Sequence, residues 1–186
     1  KVFVTGGIGG AHRGAETSMD VSSDLEELAI SDVAVVSAGV KAILDLPKTL
    51  EILETKGVPV VGYKTDELPA FYTRTSGLKL VARADTVDEV ACIMKSKWDL
   101  GIGGSVLIAN PIPQEFEADS KVINAAIENA LVRANKEGIA GKEITPFILS
   151  LVSEATGGDS LAANVALVEN NARLGAQIAF AFSKLV

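Results

Sequence analysis

Three clusters of residues have types and spacings suited to chemistry. The densest is Thr5-Gly6-Gly7-Ile8-Gly9-Gly10-Ala11-His12-Arg13-Gly14, five glycines around the chain's only histidine. Glycine lets a backbone come close to a ligand and offer its N–H groups to an anion. No Gly-Lys-Ser/Thr follows, so this is not a P-loop, and no apolar helix pattern begins at Gly10, so it is not a dinucleotide fingerprint. A tight connection without a ligand is the alternative, and a lone His12 is more often structural than catalytic.

The second cluster is Met19-Asp20-Val21-Ser22-Ser23-Asp24-Leu25, two carboxylates four apart with hydroxyls between them. Hard divalent cations take carboxylate and water oxygens, so Asp20 or Asp24 could hold Mg²⁺ or Mn²⁺, which would grip a phosphate. Simple helix capping by Ser22, Ser23 or Asp24 competes with that reading. The third is Ser37-Ala38-Gly39-Val40-Lys41-Ala42-Ile43-Leu44-Asp45, with Lys41 just past an apolar strand. Ligands of open α/β sheets sit beyond such strand ends, and a desolvated amine there can add to a sugar aldehyde to form an imine. A surface lysine with a buried stem is the competing reading. Further on, Asn110 at the corner Ala109-Asn110-Pro111-Ile112-Pro113 is expected to point into the same cleft. Asn164, Val168 and Asn171 share one helical face by their i, i+4, i+7 spacing.

The elements that must position these residues alternate. Val2-Phe3-Val4, Val33 to Val36, Val58 to Val61 and Ser105 to Ala109 read as strands covered on both faces. Between and after them, helices are expected from Pro47 to Lys56, Thr86 to Trp98, Lys121 to Lys136, Pro146 to Gly157-Gly158 with Thr145 as cap, and Ser160 to about Leu185. The expected fold is α/β: an α/β/α sandwich with a largely parallel or mixed sheet and a helical C-terminal tail, one domain over residues 1–186. The segment from Gly62 to Leu80 has no clean period and is long for a connection, as segments that line sites often are.

Composition narrows the function. The 186 residues are 48% hydrophobic, enough for a substantial core and against disorder. Seventeen Lys and Arg against 24 Asp and Glu give a net charge of −7 with the cations scattered, which argues against a nucleic acid polymer as partner. A single cysteine, Cys92, cannot form an internal disulfide. No apolar run approaches the roughly 20 residues of a membrane span and no signal peptide is visible, so no membrane and an intracellular, cytoplasmic location are expected.

Taken in order, these stretches resemble the pseudouridine-5′-phosphate glycosidase family, also called indigoidine-synthase-A-like. The resemblance rests on Val2 to Gly14, Met19 to Leu25, Val35 to Asp45, Gly57 to Tyr63, Leu68-Pro69-Ala70-Phe71-Tyr72, Ala109 to Pro113, Gly141 to Phe147 and Thr156 to Leu161, with Asn164, Asn170 and Asn171. It implies reversible cleavage of the C–C glycosidic bond of pseudouridine 5′-phosphate to uracil and ribose 5-phosphate, with a divalent metal, typically Mn²⁺. A C-glycoside has no leaving-group heteroatom to protonate, so the two-carboxylate glycosidase route is closed. The family's route opens the ribose ring and joins a lysine to its C1, and that lysine matches Lys41.

By the same resemblance Asp20 matches the metal ligand, with Asp24 kept as second candidate, and Ser22, Ser23 and Asp24 match a substrate-binding stretch. Thr5 and His12 match residues near the ribose or its phosphate, and Asn164 an amide reaching the active site. Ser37 stands where some relatives have cysteine, which argues against a nucleophile there, and Ala42 where many have serine. Family members run to roughly 300 residues, about two domains by ordinary length priors. The resemblance therefore implies an N-terminal part, carrying a general-acid glutamate and a phosphate-binding lysine, that this stretch lacks. It also implies a homotrimer and a pseudouridine kinase, separate or fused. The alternative is a truncated or degenerate relative that binds sugar phosphate without turnover, and a third reading is an interaction domain with no ligand.

Overall fold

In the computed structural model, which describes residues 1–139, 143–155 and 159–186, five parallel strands form one sheet in the order β1-β2-β5-β3-β4. They are β1 (Val2–Val4), β2 (Ala34–Ser37), β3 (Val60–Tyr63), β4 (Ala82–Ala84) and β5 (Val106–Ala109). β2 and β5 are buried along their whole length, as their unbroken apolar runs require. β4, at the edge, is short and centred on Arg83; it carries no apolar run and so no strand signal in its residue pattern.

The helices are α1 (Ala15–Ser18), α2 (Asp24–Ile30), α3 (Leu46–Thr55), α4 (Val87–Asp99), α5 (Ser120–Glu137), α6 (Ile144–Ala155) and α7 (Asp159–Ser183). Their ends follow local chemistry. Thr86 and Glu89 form a reciprocal capping box on α4, Asp119 accepts from the Lys121 and Val122 N–H groups, and Gly138 ends α5 at φ 69°. Thr145 does not cap α6: the helix already includes Ile144, so Thr145 and Pro146 both lie in its first turn, where proline's missing N–H costs no internal bond. Gly157 and Gly158, expected at the end of that helix, lie outside the described residues.

Two apolar clusters fill the space on either side of the sheet. One joins Val35, Leu107 and Val60 to Leu25, Leu53, Ile127, Ile148 and Leu167. The other joins Val36, Ile108 and Val61 to Val90 and Met94 of α4 and to Leu174 and Ile178 of α7. The alternation of cluster membership along β2 and β5 is the period of two of a strand, and it makes the fold an α/β/α sandwich. α5 and α6 pack on each other. α7, 25 residues and so roughly 37 Å long, puts its first half in one cluster and its second half in the other. It crosses the carboxyl ends of β1 and β5 on the way. No helix among the described residues is long and apolar enough to cross a membrane.

Candidate functional site

The carboxyl ends of β1, β2 and β5 carry the residues singled out above. Beyond β1 the glycine-rich loop continues alongside the segment that follows β2. The Thr5 N–H donates to the Val36 carbonyl (3.1 Å), Ala38 N–H to Gly6 (2.8 Å), Ile8 N–H to Gly39 (3.0 Å) and Lys41 N–H to Ile8 (3.1 Å). Lys41 is thus fixed through its backbone to the glycine loop, although 33 residues separate it from Ile8. Its side chain is half-buried, and its amino group has no hydrogen bond or ion pair among the described residues.

The acidic segment folds back on the same loop. An antiparallel bridge joins Ala11 to Val21, with His12 N–H donating to the Asp20 carbonyl and Ser22 N–H to the Gly10 carbonyl, both at 3.0 Å. Asp24 turns its carboxylate away from its own helix to accept the Gly9 N–H at 2.7 Å, while the Asp24 N–H donates to Ser22 Oγ at 3.2 Å. Ser23 is the N-cap residue of α2 but makes no side-chain cap hydrogen bond. A side chain at Gly9 would overlap Ser22 and meet Asp24 Oδ2 at 2.9 Å, which is why only glycine serves there. Capping therefore accounts for Ser22 but not for Asp24, which ties the acidic segment to the loop. The N–H groups of Gly6, Gly7 and Gly10 have no partner among the described residues, so the loop keeps unused donors.

Among the described residues no three His, Cys, Asp or Glu side chains converge on a metal position. A divalent ion there would rest on one or two carboxylates and on water, the usual arrangement for Mg²⁺. Asp20 fits that role: it is half-buried and its carboxylate has no partner among the described residues, whereas one oxygen of Asp24 is already taken by Gly9.

From the other side, α7 lays one face on the loop. A Cβ at Gly6 would meet Leu167 at 3.2 Å, Val168 at 3.3 Å and Asn164 Oδ1 at 3.5 Å, which places Asn164 at the carboxyl end of β1 with Thr5. Asn110 does not point into the cleft as the sequence suggests. It is buried, and its Nδ2 donates to Asn171 Oδ1 at 2.9 Å. The long segment before β4 closes the floor: Phe71 N–H donates to Ala38 (3.0 Å), its ring covers Gly7, and Gly39, at φ 80°, lies directly against the Pro69 carbonyl. Phe71 adopts φ 64°, a costly geometry for an aromatic residue that recurs at functional sites, and residue type gives no signal of it. Next to it burial pushes the Tyr72 phenol up, a hydrogen bond with Ser160 opposing the shift.

Below this site an open, largely polar cavity of about 1110 Å³ includes Arg13, Asp45, Thr73 and Ser120. Desolvation would raise the Asp45 carboxyl, but the Lys48 N–H and ammonium together hold it below the ordinary aspartate range. The backbone bonds bring the segments of Lys41 and Asp20 to the glycine loop, and α7 brings Asn164 to Gly6.

The family model described as indigoidine synthase A like protein matches residues 1–181. A pseudouridine-5′-phosphate glycosidase of Caldanaerobacter subterraneus subsp. tengcongensis is 59% identical over all of this chain and 60% of its own length. One from Staphylococcus aureus is 56% identical over 99% of the chain and 60% of the relative. This chain spans about 60% of the length of the curated relatives it matches. Among solved structures, a prealnumycin C-glycosynthase in complex with ribulose 5-phosphate superposes with a TM-score of 0.93 at 37% identity, covering all of this chain and 61% of that one. An indigoidine synthase A-like protein of Thermotoga maritima gives 0.86 at 40% identity, covering 95% of this chain and 57% of that one.

Proposed function

This chain belongs to the indigoidine synthase A-like protein family, and from that premise we propose that it carries the imine-forming part of a pseudouridine-5′-phosphate glycosidase. The reaction is reversible cleavage of the C–C bond between uracil and ribose 5-phosphate. The ribose ring opens by cleavage of its C1–O4 bond, which leaves a hydroxyl at C4, and Lys41 Nζ bonds to C1; once the uracil carbon is protonated the C1–C bond breaks with its electron pair passing to the uracil ring, while the nitrogen lone pair forms the C1=N imine. Hydrolysis of the imine returns Lys41 and ribose 5-phosphate. The observation that carries this reading is the half-buried Lys41, whose amine has no partner among the described residues while its backbone is bonded to the glycine loop.

Around that amine, Asn164, Thr5 and His12 are proposed to orient the sugar, and Ser22, Ser23 and Asp24 to hold its polar groups. Unused N–H donors of the loop suit an anionic substrate. Asp20 is the proposed ligand of Mn²⁺, or Mg²⁺, which when bound supplies charge for the phosphate and sugar oxygens. The relatives named as glycosidases, and the sugar phosphate held by the C-glycosynthase, support the substrate class. We further propose a cytoplasmic homotrimer supplied by a pseudouridine kinase.

The test is uracil release from pseudouridine 5′-phosphate with Mn²⁺, followed by ultraviolet absorbance, in this chain and in the full-length protein that contains it. Release that disappears in Lys41→Ala supports the proposal. Saturable binding of ribose 5-phosphate without release in the full-length protein would establish a binding module instead.

A further inference from the structure

Where α7 crosses the carboxyl ends of β1 and β5, two buried amides are linked to each other. Asn171, fully buried, accepts from Asn110 Nδ2 at 2.9 Å and donates its own Nδ2 to the Thr5 carbonyl at 2.9 Å and the Gly6 carbonyl at 3.3 Å. The reason for an amide lies in the strand pairing. Thr5 N–H reaches Val36, but Ala38 N–H passes the Thr5 carbonyl and takes Gly6 instead. The Thr5 carbonyl is left without a sheet partner, and a buried carbonyl needs a donor. Asn171 supplies it while offering an acceptor to Asn110, which a hydrophobic side chain cannot do.

We propose that Asn171, oriented by Asn110, is a positioning residue that sets the Thr5–Gly6 peptide and through it the glycine loop and Lys41. The coupling has a defined route. The Gly6 carbonyl receives Asn171 on one side and Ala38 N–H on the other, and Ala38 in turn accepts the Phe71 N–H. Two residues on, Ile8 accepts the Lys41 N–H. Asn171 also lies two helical turns from Asn164 on the same face, so the bond that orients the loop registers α7 against the proposed substrate. The effect on reaction rate rests on reading Lys41 as the reacting amine; the effect on loop geometry does not.

The experiment uses ¹⁵N-glycine-labelled chain and three variants, Asn171→Leu, Asn110→Ala and the control Asn170→Ala, whose Nδ2 bonds the Pro111 carbonyl. Gly9, Gly10 and Gly39, none of which Asn171 hydrogen-bonds, are expected to move in Asn171→Leu and, less, in Asn110→Ala, while Gly57 and Gly138 stay put and Asn170→Ala leaves all five unchanged. The maximal rate of cyanoborohydride trapping of ribose 5-phosphate on Lys41 should fall at least about tenfold in Asn171→Leu with cooperative melting retained. If Asn171→Leu fails to fold, Asn110→Ala carries the same test. Displacement confined to Gly6, with trapping at the parent rate, overturns the proposal. Displaced loop resonances together with no trapping in the parent chain would uphold the positioning role and remove the reading of Lys41.

Discussion

Lys97 and Lys41 both sit at glycine-bearing corners of the sheet, at its opposite ends, and their amino groups meet opposite fates. At the amino ends of the strands Lys97 is buried, and its Nζ donates to the carbonyls of Ile102, Gly103 and Gly104. Trp98 Nε1 adds a donor to Gly104, whose own N–H goes to Asp32. At the carboxyl ends Lys41 is held by its backbone and its amine has no partner among the described residues. An ammonium consumed by three carbonyls closes a corner. An amine with no partner among the described residues is available to a ligand. Buried lysine is therefore not itself the signal of chemistry; what the rest of the fold leaves unused around it is.

Breaking the support of Lys41 should have the largest effect. Gly39→Ala puts a Cβ into the Pro69 carbonyl at a φ of 80° and is expected to destabilise by about 3 kcal/mol or more, read from urea unfolding. Next, Lys97→Met takes this donor from the Ile102 and Gly103 carbonyls, while Gly104 keeps Trp98 Nε1, and should cost about 2 to 4 kcal/mol, with the trapping of ribose 5-phosphate on Lys41 retained in the folded fraction. A smaller effect belongs to Asp45, at the start of α3 near Lys41. Its folded carboxyl titrates below the unfolded one, so the unfolded chain binds more protons in that window. The contribution is complete above about pH 4 and is lost as the pH falls through the folded value. Asp45→Asn should flatten that part of the melting-temperature profile. Smallest for stability is Lys41→Met, expected within about 0.5 kcal/mol of the parent because no partner is lost.

These two corners were unequally legible. The strands β1, β2, β3 and β5 follow from apolar runs, and α4 and α5 from Thr86, Asp119 and Gly138, because each signal is local. β4 is three residues around an exposed arginine and has no such signal. Lys41, the glycine loop and Asp20 could be singled out by type and by family resemblance, and the family and the fold class both stand. What sequence could not supply was their contact: the bond from Asn110 to Asn171 spans 61 positions, and the strained Phe71 backbone has no residue signature. Asn110 was misplaced for that reason, since a polar residue at a strand end has the same local pattern whether it faces a cleft or a buried amide.

The central claim is that the free lysine, not the saturated one, is the reagent. Peptide mass spectrometry after incubation with ribose 5-phosphate, Mn²⁺ and cyanoborohydride tests it most directly. The account predicts a reduced pentose-phosphate adduct on Lys41, none on Lys97, and loss of the adduct in Lys41→Met. A full-length protein that carries no adduct on Lys41, or labels Lys97 equally, would contradict it.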